Sequence, residues 1–329
     1  MTLEDVQEIL KTIKHPTMNQ DIVSLHLIRT IQIYSNILEI SLAIEKNSLY
    51  APVANAISKA LKPHFLEVRV MKAHVKKPIP SAKRRFSCSY AKKILAITGS
   101  KGGVGKSTIA ANLAISFSKQ GFSVGIVDAD ICNPSIPHLL HVNDGLLQWN
   151  SKNQIIPKRV YNLQVMSSGL ANGLIDTPFI WDSSTIASTL AQFFDNVDWK
   201  ELDILIIDLP SNLSEAYIST IQEVDLSGVL FVTTPHALTH KGLECGIDLL
   251  KEFNVPIIDV VENMSGFLAP DSKMVYEIFG ESQTLNLCKE HQLPLLAQIP
   301  LQIQSKMPEA LEEDSIYEPL SQTLLSILN

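Results

Sequence analysis

Residues 101–108 read KGGVGKST, set between an apolar β-type run at 94–98 (ILAIT) and a helical pattern over 107–120. That order of strand, glycine loop and helix is the context a phosphate-binding loop requires. Gly102, Gly103 and Gly105 carry no Cβ, so the backbone can turn tightly and aim its N–H groups at phosphate oxygens. The helix N-terminus behind them adds partial positive charge. In this reading Val104 and Thr108 complete the loop, Lys106 reaches the β- and γ-phosphates of a nucleotide, and the Ser107 hydroxyl ligates Mg²⁺. The alternative is a glycine-rich turn that happens to hold lysines, and the match at every position of 101–108 in the right context weighs against it.

Beyond the loop, apolar runs and helical patterns alternate. Strands are expected at 94–98, 123–127, 163–168, 203–207, 228–233, 256–261 and 294–298. Helices are expected at 107–120, 184–195, 214–222, 239–252 and 281–291, with one more near the end. The pattern predicts an α/β fold of the P-loop NTPase type, a doubly wound, mostly parallel sheet. Ligands of such sheets bind beyond the carboxyl ends of the strands, so the residues there are the candidates.

Asp128 and Asp130 end the second of these strands. Asp130 is assigned to positioning an attacking water and Asp128 to a supporting role, against the alternative of buried or capping aspartates. Asp208 closes Ile204-Leu205-Ile206-Ile207, a Walker-B pattern in which the carboxylate holds Mg²⁺ through water. Asn263 follows a further strand, and its amide has the donor and acceptor that adenine would need; a turn asparagine is the plainer reading. The histidine pairs His236/His240 and His138/His141 lack a metal-site motif and are expected on helix surfaces.

Composition agrees with a folded globular chain: 46% hydrophobic and 19% charged residues provide for a generous core. No apolar run reaches the roughly 18 residues that a membrane span needs, and the acidic, amphipathic N-terminus is unlike a signal peptide. Cys88, Cys132, Cys245 and Cys288 are too scattered for a disulfide framework or a close-spaced metal site. Together these point to the cytoplasm and to no membrane partner. A net charge of −7 argues against general nucleic-acid binding. The stretch from Lys72 to Lys93 is nonetheless wholly basic in its charges and holds Pro78 and Pro80, which marks a solvated linker. The expected organisation is a small α/β domain at 1–72, a basic linker at 73–92 and the P-loop domain at 93–329. In the small domain a helix starts near Leu3, strands are expected from Leu25 to Ile33, Ile37 to Ile44 and Phe65 to Met71, and a helix from Ala51 to Leu61 has Pro52 in its first turn.

Ser100 stands where the common phosphate-loop pattern has glycine, and Lys101 adds a second lysine. This resembles the deviant loop of the MinD/ParA/nitrogenase-iron-protein class of dimeric ATPases. The resemblance implies an ATP-sandwich homodimer in which Lys101 reaches the partner subunit's nucleotide. The chain as a whole resembles the Mrp/ApbC family of iron–sulfur cluster carrier ATPases. The residues that carry this are DADICNPSIP at 128–137, Val261-Glu262-Asn263-Met264-Ser265, Ile278-Phe279-Gly280, Gln298-Ile299-Pro300-Leu301 and, in the small domain, Asp21-Ile22-Val23-Ser24-Leu25.

Two departures qualify that resemblance. Family carriers have C-P-x-C where this chain has Ala269-Pro270-Asp271-Ser272. Alanine cannot ligate iron and serine is a poor substitute for thiolate, so no iron–sulfur ligands are assigned. Cys245 and Cys288 are the alternative source of ligands, with buried structural thiols the plainer reading. The family's D-x-P-P-G-T-G-D appears as Asp208-Leu209-Pro210-Ser211-Asn212-Leu213-Ser214-Glu215, without its glycines. The family implies a slow, Mg²⁺-dependent ATPase with iron–sulfur assembly or client proteins as partners, while cluster carriage stays open. The rival readings are a MinD/ParA-like positioning switch and a cluster-free adaptor. The C-terminal EPLSQTLLSILN has no basic residue, unlike a MinD-type membrane anchor.

Overall fold

The computed structural model describes the chain apart from residues 1, 19, 26, 35, 43, 45, 46, 73–85, 87, 100, 143–146, 171–181, 212, 213, 270–273, 303–307, 312–314 and 329. Its contacts divide it into two units, Met1–Ile79 and Pro80–Asn329.

In the first unit, helix α1 (Leu3–Lys11) starts from a reciprocal cap: Asp5 N donates to Thr2 Oγ1 at 3.2 Å and Thr2 N to Asp5 Oδ2 at 2.8 Å. Strands β1 (Ile28–Tyr34) and β2 (Ile37–Leu42) form an antiparallel hairpin. Helix α2 (Asn47–Leu61) then crosses to β3 (Glu67–Lys72), which pairs parallel to β2. Alternate β2 residues Leu38, Ile40 and Leu42 turn inward and pack with Val53, Ile57 and Leu61 of α2. Two expectations shift here. The first strand starts three residues after Leu25, because the Asp21 carboxylate accepts from Val23 N and Ser24 N at 3.0 and 2.7 Å and holds a turn. Pro52 lies inside α2 instead of its first turn, since the helix begins at Asn47.

The second unit is built on β4 (Ala91–Gly99), β5 (Val124–Asp128), β6 (Gln148–Trp149), β7 (Ile155–Ile156), β8 (Lys158–Val160), β9 (Leu163–Ser167), β10 (Leu202–Asp208), β11 (Gly228–Thr233), β12 (Ile257–Leu268), β13 (Val275–Tyr276) and β14 (Leu295–Gln302). The main sheet runs β13-β12-β11-β4-β10-β5-β9-β8, with β14 also on β12. All neighbours are parallel except the hairpin partners β8 on β9 and β13 on β12. Strands β6 and β7 pair separately. The helices are α3 (Lys106–Lys119), α4 (Ile136–Leu139), α5 (Ser183–Asp195), α6 (Glu215–Glu223), α7 (Ala237–Glu252), α8 (Thr284–His291) and α9 (Tyr317–Leu328).

Alternation along β4 explains the two layers. Ile94 and Ala96 join one core with residues of α5, α6, α7 and α8, while Leu95 and Ile97 join the other with α3 and α9. The doubly wound sheet expected from the sequence is thus the observed fold. The C-terminal helix α9 buries its apolar stripe on α3: Ser116 Oγ lies 3.0 Å from Tyr317 O and 2.7 Å from Ser321 Oγ, and Gln120 Nε2 donates to Ser321 Oγ at 2.6 Å. Among the described residues no helix is long and apolar enough to cross a membrane.

Most of the basic stretch lies outside the described residues. Its end does not: Ala91 and Lys92 already belong to β4, so pairing reaches two residues into the expected linker. There Lys92 Nζ meets Asp203 Oδ1 at 2.7 Å and Lys93 donates to the Leu328 carbonyl.

Two further expectations are corrected on α7 and one is extended on β12. His240 is buried, with Nε2 3.1 Å from Thr284 Oγ1, because it shares the inward stripe of Leu243, Ile247 and Leu250. Its neighbour His236 is exposed and caps the helix, accepting from Leu238 N at 3.2 Å. Cys245 is exposed, not buried, while Cys288 is buried as expected. Strand β12 continues to Leu268, well past residue 261, because β13 and the second half of β14 both pair with its end. A register shift between Asn263 and Phe267, with Met264 at φ 55°, marks a bulge there.

Candidate nucleotide-binding site

The phosphate loop leaves the sheet between β11 and β10, at the end of the central strand β4. Gly103 (φ 80°) and Gly105 (φ 90°) take left-handed conformations that a side chain would strain. Gly105 has a second constraint: a Cβ there would lie 2.2 Å from Asn263 Nδ2. That amide, from the far side of β11, donates to Val104 O at 2.9 Å. Asn263 thus presses on the loop, with one of its two amide hydrogens committed to it. Its neighbour Glu262 alternates inward and is fully buried, accepting from Gln298 Nε2 at 2.8 Å and from the Ser282 hydroxyl.

Gly103, Gly105, Lys106, Ser107 and Thr108 line a cavity of about 490 Å³ whose other walls include Ser135 and His138 from the segment after Asp130, and Met264 from the bulge. Lys106 is buried, and that burial lowers its pKa against the pull of Asp208 and Asp130. Val104 is buried beneath the loop, whereas Gly102 and Lys101 are exposed and are not among the described residues that line the cavity. Ser211, in the altered segment after Asp208, sits against Gly102, whose Cβ would be 3.7 Å from Ser211 Oγ. Ser100, Asn212 and Leu213 lie outside the described residues.

Two carboxylates meet at adjacent strand ends, with Asp208 of β10 in register with Asp128 of β5. Asp128 is fully buried, and its oxygens accept from Ser135 N (2.9 Å), Ile136 N (3.1 Å), Ser167 Oγ (3.1 Å) and Asp130 N (3.2 Å). It therefore staples the chain leading into α4, the helix that carries His138. Burial, and then the facing Asp208, push its pKa well up. Asp208 is equally buried, yet among the described residues neither of its oxygens has a hydrogen-bond partner. Burial raises its pKa to about 7, while the nearby Ser107 hydroxyl, without closing a hydrogen bond, and the Lys106 ammonium act to lower it. Asp130 is half-buried and accepts from Asn133 N at 3.3 Å; burial raises its pKa, opposed by Asn133 and Lys106.

The loop, Asp130 and Asp208 are thus brought to one place. The sequence reading missed the contact of Asn263 with the loop, and it expected His138 on a helix surface, where it lies, without connecting it to the site. His138 is exposed but stands on the cavity wall. The signal for it was local: a segment leaving Asp128 and Asp130 at a strand end must cross the mouth of the site.

The stretch that replaces the cysteine pair is half visible. Ala269 N donates to Met274 O at 3.0 Å and closes the hairpin between β12 and β13, whereas Ser272 lies outside the described residues. Cys88 and Cys288 are buried and their thiols are pushed up to about 11, mainly by burial. Such thiols stay protonated near neutral pH and are poor metal ligands. Among the described residues no group of three or more His, Cys, Asp or Glu side chains could hold a metal.

Comparison with known proteins agrees with this geometry. The model of the NUBPL iron-transfer P-loop NTPase family matches residues 90–324, and that of the iron–sulfur cluster assembly protein family matches residues 3–75. The iron–sulfur cluster carrier protein of Aquifex aeolicus is 30% identical over 342 residues, covering 97% of this chain and 92% of its own. A nucleotide-binding protein from Archaeoglobus fulgidus, solved in complex with ADP, superposes with a TM-score of 0.57 at 28% identity, over 75% of this chain and 91% of that one. The cell division ATPase MinD of Pyrococcus furiosus shares the fold, with a TM-score of 0.53 at 20% identity over 71% of this chain and 99% of that one. With one family model running from β4 into α9, the chain belongs to the NUBPL iron-transfer P-loop NTPase family.

Proposed function

We propose that this protein binds Mg·ATP, hydrolyses it slowly as an ATP-sandwich homodimer, and serves iron–sulfur cluster assembly. The observation that carries the reading is Asp208, a buried carboxylate beside Ser107 and Lys106 whose two oxygens have no partner among the described residues. A buried carboxylate left without donors costs several kcal/mol, on the order of a lost charge-assisted hydrogen bond or more, unless a cation or its water completes it. The donor set, a hydroxyl and a carboxylate oxygen, suits a hard divalent cation.

Ser107 and, through water, Asp208 would hold Mg²⁺, which would supply positive charge to the nucleotide's phosphates. The chain's own groups do the rest. Loop N–H groups and Lys106 hold the phosphates and stabilise charge that shifts toward the β–γ bridging oxygen. Asp130 orients the attacking water on the γ-phosphorus. Lys101, exposed at the start of the loop, reaches a second copy's nucleotide in this reading. Asp128 keeps the segment that bears Asp130 and His138 in position through its four accepted hydrogen bonds.

The iron–sulfur cluster is cargo in this scheme, and assembly or client proteins are the partners. It is not held where carriers of the Mrp/ApbC type hold theirs, because Ala269 offers no thiolate. Two measurements test the proposal. Lys106→Ala should lose nucleotide binding and turnover, and full activity in that variant would reject the site. Anaerobic reconstitution should give no cluster bridged at 269 and 272; a stoichiometric cluster that is lost in Ser272→Ala would reject the account of the cargo.

A further inference from the structure

The Val104–Gly105 peptide is the part of the loop least able to hold its own orientation. Reversing a peptide plane requires large changes in the ψ before it and the φ after it, and glycine tolerates φ of either sign. Gly105 sits at φ 90° and has no Cβ to resist such a change. It also has to be glycine, because Asn263 Nδ2 occupies the space that a Cβ would need, at 2.2 Å. The residue that makes room for Asn263 is therefore the one that frees the preceding peptide to flip.

The same amide opposes the flip. Asn263 Nδ2 donates to Val104 O at 2.9 Å across 159 residues of chain. In a trans peptide C=O and N–H point in opposite directions, so tethering the Val104 carbonyl also fixes the direction of the Gly105 N–H. Gly105 lines the cavity, and a flipped peptide would exchange donor for acceptor in a loop that must meet an anion. Asn263 is itself held on both sides, by the buried Glu262 before it and the bulge at Met264 after it.

We propose that Asn263 is a positioning residue that locks the Val104–Gly105 peptide in the orientation that accepts phosphate. The proposal rests on the reading of the loop as a nucleotide site and deepens it. It differs from a role in reading the base, because a lock acts on any polyphosphate whether or not a base is attached.

The test is titration calorimetry of Mg·ATP and of Mg·tripolyphosphate, which lacks base and sugar, against the full chain and Asn263→Ala. Loss of one hydrogen bond that orders the loop should weaken both ligands by the same factor, about tenfold, at an unchanged melting temperature. Asn263→Leu keeps the side chain's bulk on Gly105 without the donor and should show the same parity if the alanine variant folds poorly. Weaker ATP binding with unchanged tripolyphosphate binding would make Asn263 a base reader and overturn the lock. Unchanged binding of both ligands would also overturn it. If the unaltered protein bound neither ligand, the nucleotide site itself would fall, and the lock with it.

Discussion

Asp208 and Asp128 stand opposite each other at the carboxyl ends of neighbouring parallel strands, and among the described residues one has no hydrogen-bond partner and the other four. Two carboxylates of one residue type, in one register and equally buried, thus do different work. Asp128 organises backbone, whereas Asp208 is left without a donor among the described residues. Their amide variants should behave oppositely. Asp128→Asn turns an NH₂ group onto donors and should cost roughly 1–3 kcal/mol of stability. Asp208→Asn removes a buried charge that no described donor hydrogen-bonds, so its melting temperature should be unchanged or higher while Mg²⁺ no longer strengthens ATP binding. Thermal melts and calorimetry with and without Mg²⁺ decide the matter. A stability loss in Asp208→Asn as large as in Asp128→Asn would mean that Asp208 is structural.

The buried Asp259 predicts a pH dependence. Burial raises its pKa to about 6 from the ordinary carboxylate value of 3.8, against the pull of hydrogen bonds from Val260 N and the Leu296 backbone. Between those two values the folded chain holds a proton that the unfolded chain has released. Stability therefore falls as pH rises from about 4 to about 6, and the penalty is fully present above that. Asp259→Asn keeps an acceptor for Val260 N without the charge. At pH 8 it should be more stable than the parent by an amount on the order of 1–3 kcal/mol, and near pH 4 the two should converge. Denaturant melts across that range test this, and an equal gain at both ends would show that charge is not the cause.

The sequence made the phosphate loop and the sheet legible for a shared reason. KGGVGKST is contiguous, and each buried strand announces itself by a short branched apolar run such as Ile204-Leu205-Ile206-Ile207. The contact between Asn263 and Val104 was illegible because it spans 159 residues and depends on β12 lying two strands from β4, which no local pattern states. His240 was legible in principle. Its spacing to Leu243, Ile247 and Leu250 puts it on the inward stripe of α7, and pairing it with His236 hid that phase. The length of β12 was not, since its last residues are strand only because β13 and β14 pair with them.

Lys101 separates binding from turnover. It is exposed at the loop's start and is not among the described residues lining the cavity. If it acts on a second copy's nucleotide, Lys101→Ala should keep ATP affinity within a few-fold while turnover drops by roughly 10²–10³-fold, the usual scale for one charged group aimed at a transition state. Single-turnover phosphate release and nucleotide titration separate the two quantities. Mixing Lys101→Ala with Lys106→Ala should then restore part of the activity, because a mixed dimer pairs an intact Lys101 with an intact Lys106 at one site. No recovery on mixing would place Lys101 in its own subunit's site.

The missing cysteine pair invites a gain-of-function prediction. Ala269 is half-buried, and its N–H donates to Met274 O at 3.0 Å, so the backbone at this position is fixed by the hairpin that follows β12. A thiol added there would be presented from an ordered strand end instead of a free loop. Iron–sulfur clusters need thiolates that can ionise near neutral pH, and the buried Cys88 and Cys288, pushed up to about 11, do not meet that requirement. Ala269→Cys combined with Ser272→Cys should therefore take up a cluster on anaerobic reconstitution, seen as visible charge-transfer absorption with matching iron and sulfide content, where the parent does not. Each single variant should bind far less, because one thiolate per subunit supplies only two ligands to a dimer where a bridged cluster takes four. A double variant that stays colourless while still binding ATP would show that the protein has lost more of the cluster site than its two thiolates.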